Sequence, residues 1–175
     1  MRLFIAINFT EDTKEKMLDV QRRLREKGRG RFTSPENLHL TLAFLGEVPE
    51  ERIQDIKSVM DSLSVPEMTL KFSKCGCFRR DSELWWIGVE ENKDLSKLQK
   101  DLVRKLKESG FSPDDKRFRP HITLAREMHI GSVRSEELIP APIMADVSAI
   151  SLMLSHRVNG KLTYTEIDHK NSDLS

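Results

Sequence analysis

Two histidines, each followed two residues later by a threonine, are the residues in this chain best equipped for chemistry. The tetrapeptide His39-Leu40-Thr41-Leu42 recurs as His121-Ile122-Thr123-Leu124, 82 positions later. An imidazole titrates at about 6.5, so both protonation states are accessible near neutrality. A neutral histidine can take a proton from water, and a protonated one can give a proton to a departing oxygen. Threonine hydroxyls can donate to non-bridging phosphate oxygens, where charge must be held through a transition state. On a strand, residues i and i+2 share a face. His39 and Thr41 therefore point together, as do His121 and Thr123, while Leu40, Leu42, Ile122 and Leu124 point into a core. The two sets together suit general acid–base catalysis on a phosphate ester.

One such strand would ordinarily be an exposed sheet face with an incidental histidine. The repetition argues otherwise, because duplicated burial needs would be met by any residues. Aligned without gaps, residues 4–43 and 86–125 share 11 identities in 40 positions, ending in His-x-Thr-Leu-Ala. This reads as an internal duplication, with too long a period and too few copies for a solenoid. Arg126, three residues after Thr123, is a candidate phosphate ligand, although strand alternation places it on the opposite face and a twist or strand end is needed to bring it round. Its counterpart by offset is Phe44. A metal site fits poorly: no acidic residue adjoins either motif, and no His-Glu-x-x-His is present. Cys75 and Cys77 have no second pair to complete a thiolate zinc site and read as free thiols. There is no glycine-rich phosphate loop and no Gly-x-Ser-x-Gly. His129, His156 and His169 lack repeat partners and read as surface or structural.

The elements that must position these residues follow from periodicity and punctuation. Arg2–Asn8 reads as a buried strand, and Thr10 caps a helix over 11–27 with Met17, Val20 and Leu24 inward and Gly28 at its end. Residues 29–37 read as loop, and Leu38–Leu45 as a strand closed by Gly46. A second helix starts at Pro49-Glu50-Glu51, with Ile53, Ile56, Met60 and Leu63 as its stripe. Met68–Phe78 and Glu83–Glu90 form a hairpin, and a third helix runs from Asp94 to Ser109 with Gly110 as its stop. The second motif strand spans 121–126, and 128–144 looks irregular. Val147–Leu154 and Leu162–Ile167 pair across an Asn159-Gly160 turn, and the tail from His169 looks frayed. Hairpins beside crossover units argue an α+β fold with mainly antiparallel sheets, a single domain made of two duplicated halves.

The length of 175 residues supports one core of ordinary size, and 38% hydrophobic with 33% charged residues is a folded, water-soluble balance. A net charge of +1 supplies no global field toward nucleic acid. Two local basic runs, Arg22 to Arg31 and Lys116 to Arg119, read as solvated surface or as a phosphate-attracting rim. Free thiols fit a reducing compartment, and no apolar run reaches membrane length, so a cytoplasmic protein without membrane contact is expected. The Lys, Arg and Glu content hints at a thermophile.

On these residues the chain resembles the two-histidine (2H) phosphoesterase superfamily, and more narrowly the RNA 2′,3′-cyclic phosphodiesterases once called 2′-5′ RNA ligases. The resemblance rests on the opening Arg2–Ile7, the run Pro35–Gly46, the run Arg119–Arg126, and Ile150–Ser155 followed by Gly160 and Tyr164. It implies a bilobal fold whose two motifs face across a central groove. It also implies metal-independent hydrolysis of RNA ends or nucleotide 2′,3′-cyclic phosphates to 2′-phosphomonoesters; no cofactor is expected, and a monomer is expected. By that resemblance His39 is the proton donor and His121 the proton acceptor, with Thr41, Thr123 and Arg126 on the phosphate. The family often carries an aromatic, frequently Trp, where this chain has Arg31-Phe32, so Phe32 is a candidate base or groove contact; Phe44, the offset counterpart of Arg126, is another. The alternatives are a phosphodiesterase or 2′-5′ ligase acting on another nucleotide, and a non-catalytic RNA-binding module.

Overall fold

Leu3–Ile7 are apolar without alternation because β1 (Arg2–Ile7) is buried on both faces, hydrogen-bonded between two other strands. The computed structural model describes residues 1–114 and 116–173. The remaining strands are β2 (Arg31–Phe32), β3 (Leu40–Glu47), β4 (Met68–Arg79), β5 (Glu83–Val89), β6 (His121–Met128), β7 (Ile143–Val147), β8 (Ala149–Val158) and β9 (Lys161–Asn171). The helices are α1 (Glu11–Arg25), α2 (Ile53–Asp61), α3 (Lys93–Glu108) and the single turn α4 (Ser135–Leu138). Every strand pairing is antiparallel, in the order β7-β4-β5-β6-β3-β1-β8-β9, with β2 added beside β6.

The fold is α+β and bilobal, and one register pair marks the seam. β3 meets β6 at Leu40 opposite Ile122, the middle residues of the two His-x-Thr motifs. On one side lie β3, β1, β8 and β9; on the other β6, β5, β4 and β7. The 82-residue offset carries Glu11, the start of α1, onto Lys93, the start of α3. It also carries Thr10 onto Asn92, and both are N-caps: Thr10 accepts from the Thr13 N–H and Asn92 from the Leu95 N–H. The lobes and the halves of the sequence are nevertheless different partitions. β4, which follows the first strand–helix–strand unit, pairs with β5 of the second; β8, which follows the second, pairs with β1 of the first.

Sequence expectation and structure differ at several element ends. Within 29–37, β2 pairs with β6 and Pro35–Asn37 form a 3-10 turn. β3 begins after His39 rather than before it and continues through Gly46 to Glu47. β7 and α4 occupy parts of 128–144, and β9 continues past His169 to Asn171. The Asn159-Gly160 turn has positive φ at both residues, as a two-residue hairpin requires. Gly110 ends α3 with φ of +88°, but Gly28 serves otherwise: a Cβ there would stand 2.5 Å from Ile130 Cγ2, so the glycine admits close packing beyond the end of α1.

Candidate active site

Each motif strand contains a β-bulge at the same place, and the bulge decides what faces the groove. In β3, Ala43 pairs with Ile5 and Thr41 with Ala6, which leaves Leu42 unpaired. In β6, Ala125 pairs with Trp85 and Thr123 with Trp86, which leaves Leu124 unpaired. One extra residue resets the two-residue alternation. Leu42 and Ala43 are therefore both buried, as are Leu124 and Ala125. Phe44 and Arg126 then emerge on the side of His39 and Thr41, and of His121 and Thr123, respectively. That reversal of parity is how Arg126 reaches the face that simple alternation denies it.

The carbonyls of both bulge residues accept side-chain hydrogen bonds from the helices, and Leu124 O also accepts the Thr33 N–H at 2.9 Å. Gln21 of α1 donates from Nε2 to Leu124 O at 3.0 Å and to Thr33 O at 2.8 Å. Gln99 of α3 donates to Leu42 O at 3.2 Å. Each helix thus crosses beneath the motif strand of the other repeat and secures its bulge.

The two histidines are held alike. His39 Nδ1 lies 2.7 Å from Asn37 O, and His121 Nδ1 lies 2.6 Å from Arg119 O. A carbonyl can only accept, so Nδ1 carries the hydrogen on each ring and Nε2 is free to exchange protons. His39 Nε2 stands 2.9 Å from Thr41 Oγ1. Aromatic rings brace both imidazoles: Phe4 and Tyr164 lie 5.0 and 5.2 Å from His39, and Phe78 lies 5.4 Å edge-on to His121. Burial pushes both imidazoles below the ordinary 6.5. The positive fields of His121, Arg126 and Lys14 push His39 the same way, Arg126 does so for His121, and the carbonyl at each Nδ1 opposes the shift.

His39, Thr41, His121, Thr123, Arg126, Phe32 and Phe44 all line one groove of about 840 Å³. Phe44 is exposed there with the Arg2 guanidinium 5.1 Å from its ring, whereas Phe32 is half buried under the Arg25 guanidinium at 4.1 Å. The lining also carries Arg2, Arg31, Arg157 and Lys161, and among the described residues it contains no Asp or Glu. A chain with net charge of +1 has thereby gathered fixed cations into one concavity, which focuses potential on an anion.

Of the two basic runs read from sequence, only Arg31 lines the groove among the described residues. Tyr164, Arg157, Lys161 and His156 line it although sequence reasoning gave them no role. His156, read as surface or structural, bonds Thr165 Oγ1 through Nε2 at 2.7 Å. All four belong to the last hairpin, whose strands and turn are legible in the sequence but whose docking against the groove is not. No group of three or more metal-ligating side chains occurs among the described residues. No helix among them is long and apolar enough to cross a membrane. Burial pushes the Cys75 thiol up to about 12, which leaves it unreactive.

The profile of the LigT like Phosphoesterase family matches residues 7–86 and 87–160, one His-x-Thr in each segment. The chain is 37% identical over 131 residues to the RNA 2′,3′-cyclic phosphodiesterase of Thermotoga maritima, covering 72% of this chain and 70% of that one. It is 34% identical over 128 residues to the protein of the same name from Archaeoglobus fulgidus, covering 72% of each. The crystal structure of Escherichia coli LigT complexed with 3′-AMP superposes with a TM-score of 0.86 at 26% identity, covering 99% of this chain and 98% of that one.

Proposed function

This chain belongs to the LigT-like phosphoesterase family, and from that premise we propose that its groove hydrolyses the 2′,3′-cyclic phosphate at RNA ends to a 2′-phosphomonoester without a metal. The relatives named RNA 2′,3′-cyclic phosphodiesterase support the activity. The observation that carries the mechanism is the matched pair of imidazoles, each held at Nδ1 by a carbonyl, in one groove whose described lining contains no Asp or Glu.

His121, neutral, accepts a proton from the attacking water, whose oxygen forms the new bond to phosphorus. The bond from phosphorus to the 3′ oxygen breaks, and His39, protonated, gives that oxygen its proton. Burial disfavours an imidazolium in the empty groove, but a bound phosphate anion favours it, so substrate itself readies the acid. Thr41 and Thr123 donate to the non-bridging oxygens, and the Arg126 guanidinium balances their charge. Phe44 and Phe32 flank the phosphate site as apolar surfaces for base or ribose. The proton transfers need no metal-bound water because the two imidazoles supply both.

The test is a nucleoside 2′,3′-cyclic phosphate incubated with the protein in chelator and followed by phosphorus NMR. The expected product is the 2′-phosphomonoester. Binding without turnover would leave an RNA-binding module, and turnover that returns only with a divalent ion would leave a metal mechanism.

A further inference from the structure

We infer that the tip of the β8–β9 hairpin is a second phosphate subsite, which grips the phosphodiester upstream of the cyclic end and makes an oligonucleotide the preferred substrate. This rests on the reading of the groove as a cyclic phosphodiesterase. A cyclic phosphate carries one negative charge. Arg126 beside His121 and Thr123 meets that charge, and Arg31 is its register neighbour across β2 and β6. Arg157 and Lys161 sit elsewhere, on the hairpin that forms the wall of the His39 lobe beyond Tyr164. Among the described residues the groove lining offers them no acidic partner, and Lys161 pairs outside it, with Glu36. A cyclic phosphate occupies the 3′ end of an RNA, so any further phosphate in the groove lies upstream.

The tip is built to stay in place. Asn37 is only 6% exposed and donates from Nδ2 to Leu162 O at 3.1 Å. Glu36 pairs with Lys161 at 2.8 Å, and the Lys161 ammonium holds the Glu36 carboxyl below the usual carboxylate range. Arg157 donates to Gly160 O at 3.1 Å across the turn. The anchors Glu36 and Asn37 directly precede the strand entry that carries His39, so the distance between tip and catalytic centre is fixed by the fold. The Lys161–Glu36 pair is exposed at both ends, and such pairs are weak enough to yield the ammonium to an incoming phosphate. Leu162, 39% exposed beside Lys161, adds an apolar surface for the adjoining ribose or base. Cations interleaved with apolar surface are what single-stranded nucleic acid needs.

The experiment compares kcat/KM for a dinucleotide ending in a 2′,3′-cyclic phosphate with that for the matching mononucleotide. The variants are Arg157→Ala with Lys161→Ala, and a control, Lys97→Ala with Lys100→Ala, on the exposed face of α3. The wild-type protein should prefer the dinucleotide through KM. The hairpin variant should lose that preference by roughly tenfold, the scale of a charge-assisted contact, while the control keeps it. The dependence of dinucleotide binding on salt should flatten by about 0.7 in log–log slope in the hairpin variant. The subsite is overturned if wild type does not discriminate, or if the variant loses both substrates equally. Should wild type turn over neither substrate, the phosphodiesterase reading fails. Calorimetric binding of the dinucleotide 2′-phosphate then decides the subsite alone: weaker binding in the hairpin variant sustains it, and equal binding ends it.

Discussion

Glu83 is the carboxylate whose replacement should be felt most. It is 7% exposed, and it accepts from Ile130 N at 2.8 Å, Gly131 N at 2.9 Å, Trp85 Nε1 at 3.1 Å and the Arg79 guanidinium. It thereby ties the β4–β5 turn to the segment after β6 that packs on Gly28. Burial alone would raise its carboxyl, but the four donors outweigh it and bring the pKa from the ordinary 4.5 to about 2. That shift bounds the stabilisation at about 3 kcal/mol. The 47% exposed Arg79 side admits water, and screening leaves about 2 kcal/mol. Glu83→Gln keeps one acceptor but turns an NH2 toward donors. For a chain of this size it should lower Tm by roughly 4–8 °C at pH 7. The pKa is depressed on folding, so the stabilisation is complete above pH 4.5 and is lost as pH falls through about 2. Urea denaturation of both proteins should therefore show a gap at pH 7 that narrows by pH 3. A gap of the same size at both pH values, or identical melting at pH 7, would rule out this role for the Glu83 carboxylate.

His39→Ala and His121→Ala should each lower kcat by on the order of 10²-fold or more, and the double variant should lose far less than the product; near-wild-type turnover in both single variants would end the two-histidine mechanism. Because both imidazoles are depressed below 6.5, the acidic limb of kcat/KM, where the base gains its proton, should fall below pH 6.5 in a pH–rate series. Thr41→Ala and Thr123→Ala should each cost less than loss of the neighbouring histidine and leave the pH optimum in place. Gly76→Ala would put a Cβ 2.5 Å from the Trp86 ring, and overpacking of that kind should cost about 1–3 kcal/mol in equilibrium unfolding.

The sequence repeat carried the two motifs, the helices and the strand pairs around them, because amphipathic periodicity and a shared offset are local properties. The adjacent apolar pairs Leu42-Ala43 and Leu124-Ala125 were the visible trace of the bulges, yet a bulge is defined by its partner strand, so the parity of Arg126 and Phe44 stayed hidden. β2 has two residues and exists only because β6 offers an edge. β7 is a five-residue strand among prolines, fixed by β4 rather than by its own pattern. Arg157, Lys161 and Tyr164 enter the groove through the way a hairpin near the end of the chain docks on the turn before His39, and no spacing rule connects positions that far apart.

The exchange of strands has a consequence for the order of assembly. The lobe of His121 draws its four main strands from one continuous stretch, Met68 to Val147, whereas the lobe of His39 takes β1 and β3 from the beginning of the chain and β8 and β9 from its end. On a ribosome β1 is made before the other described strands yet is among the last of them to be completed: it keeps an unpaired, apolar edge until Ala149 and the residues beyond it emerge. Local pairing closes first and long loop closure last, so the His121 lobe can serve as the template on which β1 and β3 meet β8 and β9. A chain released before β8 is made carries both histidines but lacks the groove wall that Ser155, His156, Arg157, Lys161, Leu162 and Tyr164 supply.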